Sequence, residues 1–169
     1  MNNFTKESTG QSTIEFLFLI SFSLVLILSL ANFLSYDNDF NLAMAAARGG
    51  ASFGVAENKL AIFEESAYLK YTEENILLTH PNSIKIVKID TLNRGYDSRY
   101  NRTSIQIRVY ASSPTLLSRE DRLSAGERIN YNVKKSITLT FGTSKLTNAL
   151  YNPCFSNKHV FTTANVNWV

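Results

Sequence analysis

A chain of 169 residues with 44% hydrophobic residues is long enough for one domain, or for an anchoring helix and a small domain, and this composition argues against wholesale disorder. The formal net charge is only +3, but residues 11–75 carry three bases and eight acids, whereas residues 76–169 carry thirteen bases and five acids. The two parts could dock on each other, within a subunit or between subunits, or the second part could simply present a solvated basic face.

The first predicted element is an apolar helix, which follows a polar stub, residues 1–10. No charged residue occurs from Phe16 to Tyr36, and a helix of that length spans about 31 Å, close to the hydrocarbon core of a bilayer. A secretory signal has a shorter apolar run, a basic flank and a small-residue cleavage site after it. The pattern therefore predicts a hydrophobic anchor helix over residues 11–35. A plain signal anchor is the alternative, but it has no use for Glu15.

Residues 36–80 predict a helical stalk. Its apolar residues recur at spacings near three, four or seven. They are Leu42, Ala45, Ala46, Phe53, Leu60, Phe63, Ala67 and Tyr71. Gly49 and Gly50 predict a bend or break in this helix, because glycine is unfavourable in a helix interior. Pro81 is a stop signal, so the helical region ends before it.

Residues 81–169 predict a head domain built on a sheet. Apolar and polar residues alternate in the stretches NSIKIVKIDTL, RTSIQIRVYASS and YNVKKSITLTFG, each of which predicts a half-buried antiparallel strand. The stretch NRGYDSRYN predicts a hairpin loop, and the tail HVFTTANVNWV predicts a fourth strand. The stretch PTLLSREDRLSAGER predicts a longer loop, or a loop with one helical turn. The expected fold class is α+β: a long N-terminal hydrophobic helix continues into an amphipathic helix and packs on a small antiparallel sheet of three or four strands.

The residues that could carry chemistry are few. His80 and His159 are isolated, and no nucleophile elbow or glycine-rich phosphate loop occurs. Cys154 is the only cysteine, which excludes an internal disulfide and predicts a buried, unreactive thiol. We therefore expect no catalytic, cofactor-binding or metal site, and no enzyme activity.

Two further features lie near the predicted hairpin loop. Arginines and aromatic residues alternate in RGYDSRYNR, but this pattern is more typical of a polar hairpin tip than of a nucleic-acid contact, so nucleic acid is not an expected partner. Asn101 begins the sequon Asn-Arg-Thr and is a candidate glycosylation site if the head is extracellular.

The junction between the stub and the apolar helix resembles a known processing signal. The residues concerned are Gly10, Gln11, Ser12, Thr13, Ile14, Glu15, Phe16 and Leu19. They resemble the Q-x-S-x-E-x-x-x-L signature of class III signal peptides, found in archaeal type IV-like prepilins, with Thr13 where serine is usual. The resemblance implies that a prepilin peptidase cuts between Gly10 and Gln11 and removes residues 1–10. It also implies that Thr13 and Glu15 belong to the processing signal.

A second stretch resembles another group of pilins. Residues 46–51 read AARGGA, and they follow an I-E-F motif and an apolar run, as a similar stretch does in bacterial TadE-type minor pilins. Both resemblances imply a pilin-like subunit that is membrane-held until it is assembled.

These resemblances give Glu15, Phe16 and Leu19 a role in subunit assembly. The expected function is that of a structural subunit, minor or tip, of a type IV-like surface filament. Its expected partners are other pilin subunits, a prepilin peptidase and the membrane, and its place is the cell membrane before assembly and the cell surface afterwards. The alternative is a single-pass membrane-tethered binding module outside the cell, whose head holds a surface ligand or an anionic polymer without forming filaments.

Overall fold

The computed structural model describes residues 4–56, 84–114, 116 and 118–169, with side chains from residue 11 onward. The chain divides into two compact units, Met1–Asn38 and Asp39–Val169. The predicted α+β class is confirmed: a long N-terminal apolar helix precedes a small mixed sheet. The stalk residues Leu60, Phe63, Ala67 and Tyr71, and the helix end before Pro81, lie outside the described residues.

Helix α1 runs without interruption from Phe4 to Ala56. It carries the predicted apolar run, and no proline occurs within it. A break at Gly49 and Gly50, one of the two outcomes predicted there, is wrong, because the helix continues through both residues. Their cost to helix stability, about 1 kcal/mol each, is offset at Gly50 by close packing on a second helix.

The buried face of α1 in the second unit is formed mainly by alanines, with Met44 beside them. Ala43, Ala47 and Ala51 are fully buried, at spacings of four that place them on one face of the helix. Leu42 and Phe53, which belonged to the predicted stripe, are 45% and 48% exposed. Of the four described members of the predicted stripe, only Ala46 packs against the core, so the predicted face is wrong in this part of α1.

The two strands of the predicted hairpin are confirmed. Strand β1, Lys85–Asp97, pairs antiparallel with strand β2, Arg102–Ser112. A turn joins them, and β1 extends further into the predicted loop than expected. The register shifts between Ile86 and Lys88 and again between Asn93 and Gly95, so the outer strand of the sheet is bulged, as edge strands often are.

The third predicted strand is wrong, because its residues belong to helix α2, Arg119–Thr140. The predicted long loop before it also contains the first half of this helix. Ser118 caps the helix, and its hydroxyl accepts a hydrogen bond from the backbone N–H of Asp121 at 3.1 Å. The alternation of Ile137 and Leu139 suggested a strand, but only Ile137 is buried, and Leu139 is 59% exposed.

The strand predicted in the tail is confirmed in position but not in direction. After a short 3-10 helix, Ser144–Leu146, come strands β3, Cys154–Phe155, β4, His159–Thr163, and β5, Asn167–Trp168. The strand order is β1-β2-β4-β3, and β5 also pairs with β2. Because β4 and β5 run parallel to β2, the sheet is mixed rather than antiparallel. The connection that contains α2 returns the chain to start β4 in the direction of β2.

The core of the second unit lies between this sheet and the two helices. Alternate residues of β2, from Ile105 to Ala111, are buried. They share one apolar cluster with the alanine stripe of α1, with Ile129, Val133 and Ile137 of α2, and with Phe161 of β4. This core therefore joins the C-terminal part of α1 to α2 and the sheet.

Candidate functional site

The N-terminal unit presents an apolar helical surface. Every described side chain from residue 11 to residue 38 is exposed within the chain. Large apolar residues cover this surface, among them Phe18, which is 73% exposed. The helix from Gln11 has a mean hydropathy of 2.5 in its most apolar window of 18 residues. By length and composition it is therefore able to span a membrane.

The residues of the predicted processing signal all lie on α1. Gly10 falls within the helix, and Gln11, Thr13 and Glu15 are exposed along its next turns. The side-chain amide of Gln11 donates a hydrogen bond to Oε1 of Glu15 at 3.2 Å. This contact places position 11 and the carboxylate side by side on one face, as a separation of four residues does in a helix.

The residues predicted for assembly also lie on the exposed helical surface. Phe16 is 62% exposed and Leu19 is 65% exposed. Both line a shallow groove along the helix, together with Ile20, Ser23, Leu24 and Ile27. A small residue between larger apolar ones is a common feature of surfaces on which membrane helices pack.

A buried polar cluster joins α1 to the loop between β3 and β4. Asp39 on α1 is 5% exposed, and its carboxylate accepts a hydrogen bond from the Ser156 hydroxyl at 2.6 Å. The ring Nδ1 of His159 lies 2.8 Å from the same carboxylate oxygen. The backbone N–H groups of Asn157 and Lys158 donate to this carboxylate at 3.0 and 3.2 Å. One side chain of α1 therefore holds the whole turn that leads into β4.

The electrostatics of Asp39 follow from these contacts. Burial acts to raise the pKa of its carboxyl, but hydrogen bonds from Ser156, His159 and the two backbone amides outweigh burial and lower the pKa below its usual value. The carboxylate is thus held in its charged form by four donors.

The cluster contains the three residue types of a Ser-His-Asp catalytic triad, but their arrangement differs from that of a triad. The Ser156 hydroxyl is bonded to Asp39 and to the backbone at His159. In a catalytic triad, the imidazole ring of the histidine takes the proton from the serine hydroxyl. Ser156 and His159 are also 0% and 1% exposed, which leaves no path for a substrate. We therefore assign a structural role to this cluster.

Cys154 and Asn101 lie where the sequence suggested. Cys154 is fully buried, as predicted, and burial raises the pKa of its thiol to about 12, which disfavours the reactive thiolate. Asn101 is exposed at the hairpin turn with a φ of 54°, a conformation that asparagine tolerates. The Tyr96 hydroxyl donates to Oδ1 of Asn101. Among the described residues, no three His, Cys, Asp or Glu side chains cluster as a metal site.

Sequence reasoning missed two features of the second unit. The contact between Asp39 and His159 joins residues 120 positions apart, and no local pattern marks it. A basic groove beside α2 was hidden because its residues were assigned to a loop and a strand. The spacing of Ala125, Ile129, Val133 and Ile137 at intervals of four, after the capping residue Ser118, was the signal that could have found this helix.

The fold and these sites define an α+β protein with one N-terminal apolar helix that is long enough to span a membrane. No family model, curated protein or solved structure matches the chain.

Proposed function

We propose that the chain is a pilin-like structural subunit of a type IV-like surface filament, held in the membrane by α1 before assembly. The observation that carries this proposal is the position of Glu15, which lies on an exposed helix directly before an uncharged run of 21 residues, Phe16 to Tyr36. A carboxylate near the bilayer is costly unless it is paired. A simple anchor gains nothing from it.

Removal of residues 1–10 would give Glu15 a partner. A cut between Gly10 and Gln11 leaves a new ammonium group on Gln11, whose side chain is within hydrogen-bonding distance of Glu15. In a bundle of parallel helices, the carboxylate of one subunit can pair with the ammonium of the next. An unpaired charge in such a dry bundle is strongly unfavourable, so this pairing would select the axial register between subunits.

The apolar surface that follows Glu15 would serve twice. It anchors the subunit in the bilayer, and it then packs against other helices in the filament core. The groove that Phe16, Leu19 and Ser23 line offers the larger side chains of a neighbouring helix a place to pack. The second unit would be displayed outside, where its size suits a minor or tip subunit.

The alternative function is a membrane-tethered binding module that does not form filaments. The basic groove beside α2, described in the next subsection, favours this alternative to the extent that it binds a ligand. Removal of the leader discriminates the two functions, because a tether requires no cut after Gly10.

The test is the mass of the N-terminal peptide in protein taken from native membranes and from sheared filaments. We expect the mature chain to begin at Gln11. A Gly10→Leu variant should remain uncut, because the bulky side chain replaces the small residue before the cut, whereas the matched control Gly10→Ala should still be processed. An intact Met1 in the wild type, or a cut beyond Leu34, would contradict the proposal.

A further inference from the structure

Two neighbouring cavities form a groove beside α2. The first cavity has a volume of about 240 Å³ and is lined by Arg119, Arg122, Gly126 and Trp168, among others. The second has a volume of about 550 Å³ and is lined by Arg128, Tyr131, Lys134 and Thr163, among others. The cavities share Glu127, Asn130 and Asn165. We call this surface the α2 groove.

The α2 groove is basic at both ends. Arg119 and Arg122 line the first cavity, and Lys134 lines the second, whereas Glu127 is the only acidic residue that lines either. The guanidinium of Arg122 is held in place, because its Nε donates to the carbonyl of Leu116 at 2.8 Å. Guanidinium groups bind carboxylates with two parallel hydrogen bonds. The groove therefore suits a ligand with spaced negative charges.

Asn130 lines both cavities and is fixed by a hydrogen bond to the chain. Its Nδ2 donates to the carbonyl of Ala164 at 2.8 Å, and this contact fixes the orientation of the amide, because an oxygen could not donate there. The Oδ1 atom is consequently buried without a protein donor within hydrogen-bonding distance. Protein atoms enclose this oxygen, so it offers no contact to a ligand in the groove.

Trp168 supplies an apolar surface beside these polar groups. Its ring is half-buried and lines the first cavity. An aromatic ring of this kind presents a flat apolar face next to polar neighbours, against which the C–H face of a sugar ring can pack. Arginines for carboxylates, the Glu127 carboxylate for hydroxyls and a ring for an apolar face thus occur in one groove.

We propose that the α2 groove binds an acidic polysaccharide, a chain of hydroxylated sugar units that carry carboxylates. The carboxylates would lie against Arg119 and Arg122, and hydroxyls would donate to the carboxylate of Glu127. An acidic peptide fits less well, because Glu127 repels a continuous run of carboxylates but accepts hydrogen bonds from hydroxyls. The proposal does not depend on whether the chain forms filaments.

The test uses the fluorescence of Trp168, which is the only tryptophan of the chain and therefore reports on this groove. The full-length protein, in a detergent without a sugar headgroup, is titrated with trimers of galacturonate, glucuronate and mannuronate. Neutral trimers of the corresponding sugars and a poly-glutamate peptide of equal charge serve as comparison ligands. We expect at least one acidic trimer to shift the fluorescence saturably, and the neutral trimers to bind more weakly.

Substitutions then locate the binding site. Arg119→Gln and Arg122→Gln should each weaken binding of the acidic trimer by about tenfold, as expected for the loss of one charge-assisted hydrogen bond. Lys145→Gln is the matched control, because it removes one exposed positive charge outside the groove, and it should leave binding unchanged. Arg119 is exposed, so its variant should fold normally, and far-UV circular dichroism checks this.

Three outcomes would overturn the proposal. The first is no saturable fluorescence change with any acidic trimer. The second is equal weakening by Lys145→Gln, which would show that binding depends on the overall positive charge of the protein rather than on the groove. The third is equal or tighter binding of poly-glutamate with the same response to Arg119→Gln, which would make the groove a site for acidic peptides. None of these outcomes bears on the cut after Gly10, so the two proposals fail independently.

Discussion

Asp39 of α1 lies 2.8 Å from the ring Nδ1 of His159, at the start of β4, although 120 positions separate the two residues. Asp39 is also the first residue of the second compact unit. The contact is buried, and the same carboxylate binds the turn at residues 156–158. The end of the exposed apolar segment is therefore followed directly by a residue that ties α1 to the sheet.

The first prediction concerns the contribution of Asp39 to stability. Asp39→Asn keeps the size of the side chain but removes the charge that four donors stabilise. We expect the free energy of unfolding of the second unit to fall by about 1–3 kcal/mol, because buried donors lose a charged acceptor. The measurement is urea unfolding of the full chain in detergent, followed by the fluorescence of Trp168.

Asp90→Asn is the matched control for this prediction. It makes the same change in the exposed pair with Lys88, whose atoms lie 3.0 Å apart. Exposed ion pairs contribute little to stability, so the unfolding midpoint should hardly move. Equal midpoints for Asp39→Asn and the wild type would contradict the role assigned to the buried cluster.

The second prediction is the pH dependence of the same contact. The pKa of Asp39 is lower in the folded chain than its ordinary value of 3.8. A group of this kind adds stability above its unfolded pKa and loses that contribution as the pH falls through the folded pKa. Wild-type stability should therefore decrease below pH 4 more steeply than that of Asp39→Asn. Subtracting the two curves cancels the contributions of Asp90 and Asp97 to the pH dependence, since their carboxyls also have lowered pKa values. Parallel curves would refute the assignment.

Much of the fold follows from local sequence patterns. The uncharged run after Glu15 and the alternation in β1 and β2 are signals of neighbouring residues, and both elements were predicted correctly. The second half of helix α2 was misread as a strand, because apolar residues at 137, 139 and 141 alternate with threonines at 138 and 140. Propensity favoured a strand there, whereas burial of Ile129, Val133 and Ile137 against the core determines a helix.

Long-range features of the fold had no local signal. The parallel pairing of β4 with β2 depends on where α2 returns the chain, and the contact of Asp39 with His159 depends on that pairing in turn. Gly50 was taken as a helix breaker for the same reason. The sequence contains the glycine, but the helix that packs against it becomes visible only in the fold.

The third prediction uses two adjacent glycines of α1 with opposite expected effects. A Cβ atom on Gly50 would lie 2.4 Å from the backbone oxygen of Asn132 and 2.9 Å from Cβ of Ser136. Gly50→Ala should therefore destabilise the second unit by about 1–3 kcal/mol, the usual cost of overpacking. Gly49→Ala meets nothing within 4 Å and should stabilise the helix by up to about 1 kcal/mol. Thermal unfolding measures both, and effects of the same sign would contradict the close packing of α1 on α2.

The last prediction concerns Glu15 and the proposed filament. Glu15→Gln keeps the size of the side chain and its capacity for hydrogen bonds but removes the charge. The precursor should still insert into the membrane, because the loss of a charge near the bilayer makes insertion easier. Incorporation into filaments should fall by more than about tenfold, since the ammonium group of a neighbour would be left unpaired in a dry bundle.

Three quantities have to be compared between Glu15→Gln and the wild type: processed protein, membrane retention and the amount in sheared filaments. Processing is measured separately because the peptidase could also recognise Glu15. Asp37→Asn is the matched control, since this acid lies on the same helix at the other end of the uncharged run, and it should assemble normally. For a membrane tether, Glu15→Gln should be neutral or slightly favourable. Normal processing together with wild-type filament content would contradict the assembly role of Glu15, because loss of its charge would then have no effect on assembly.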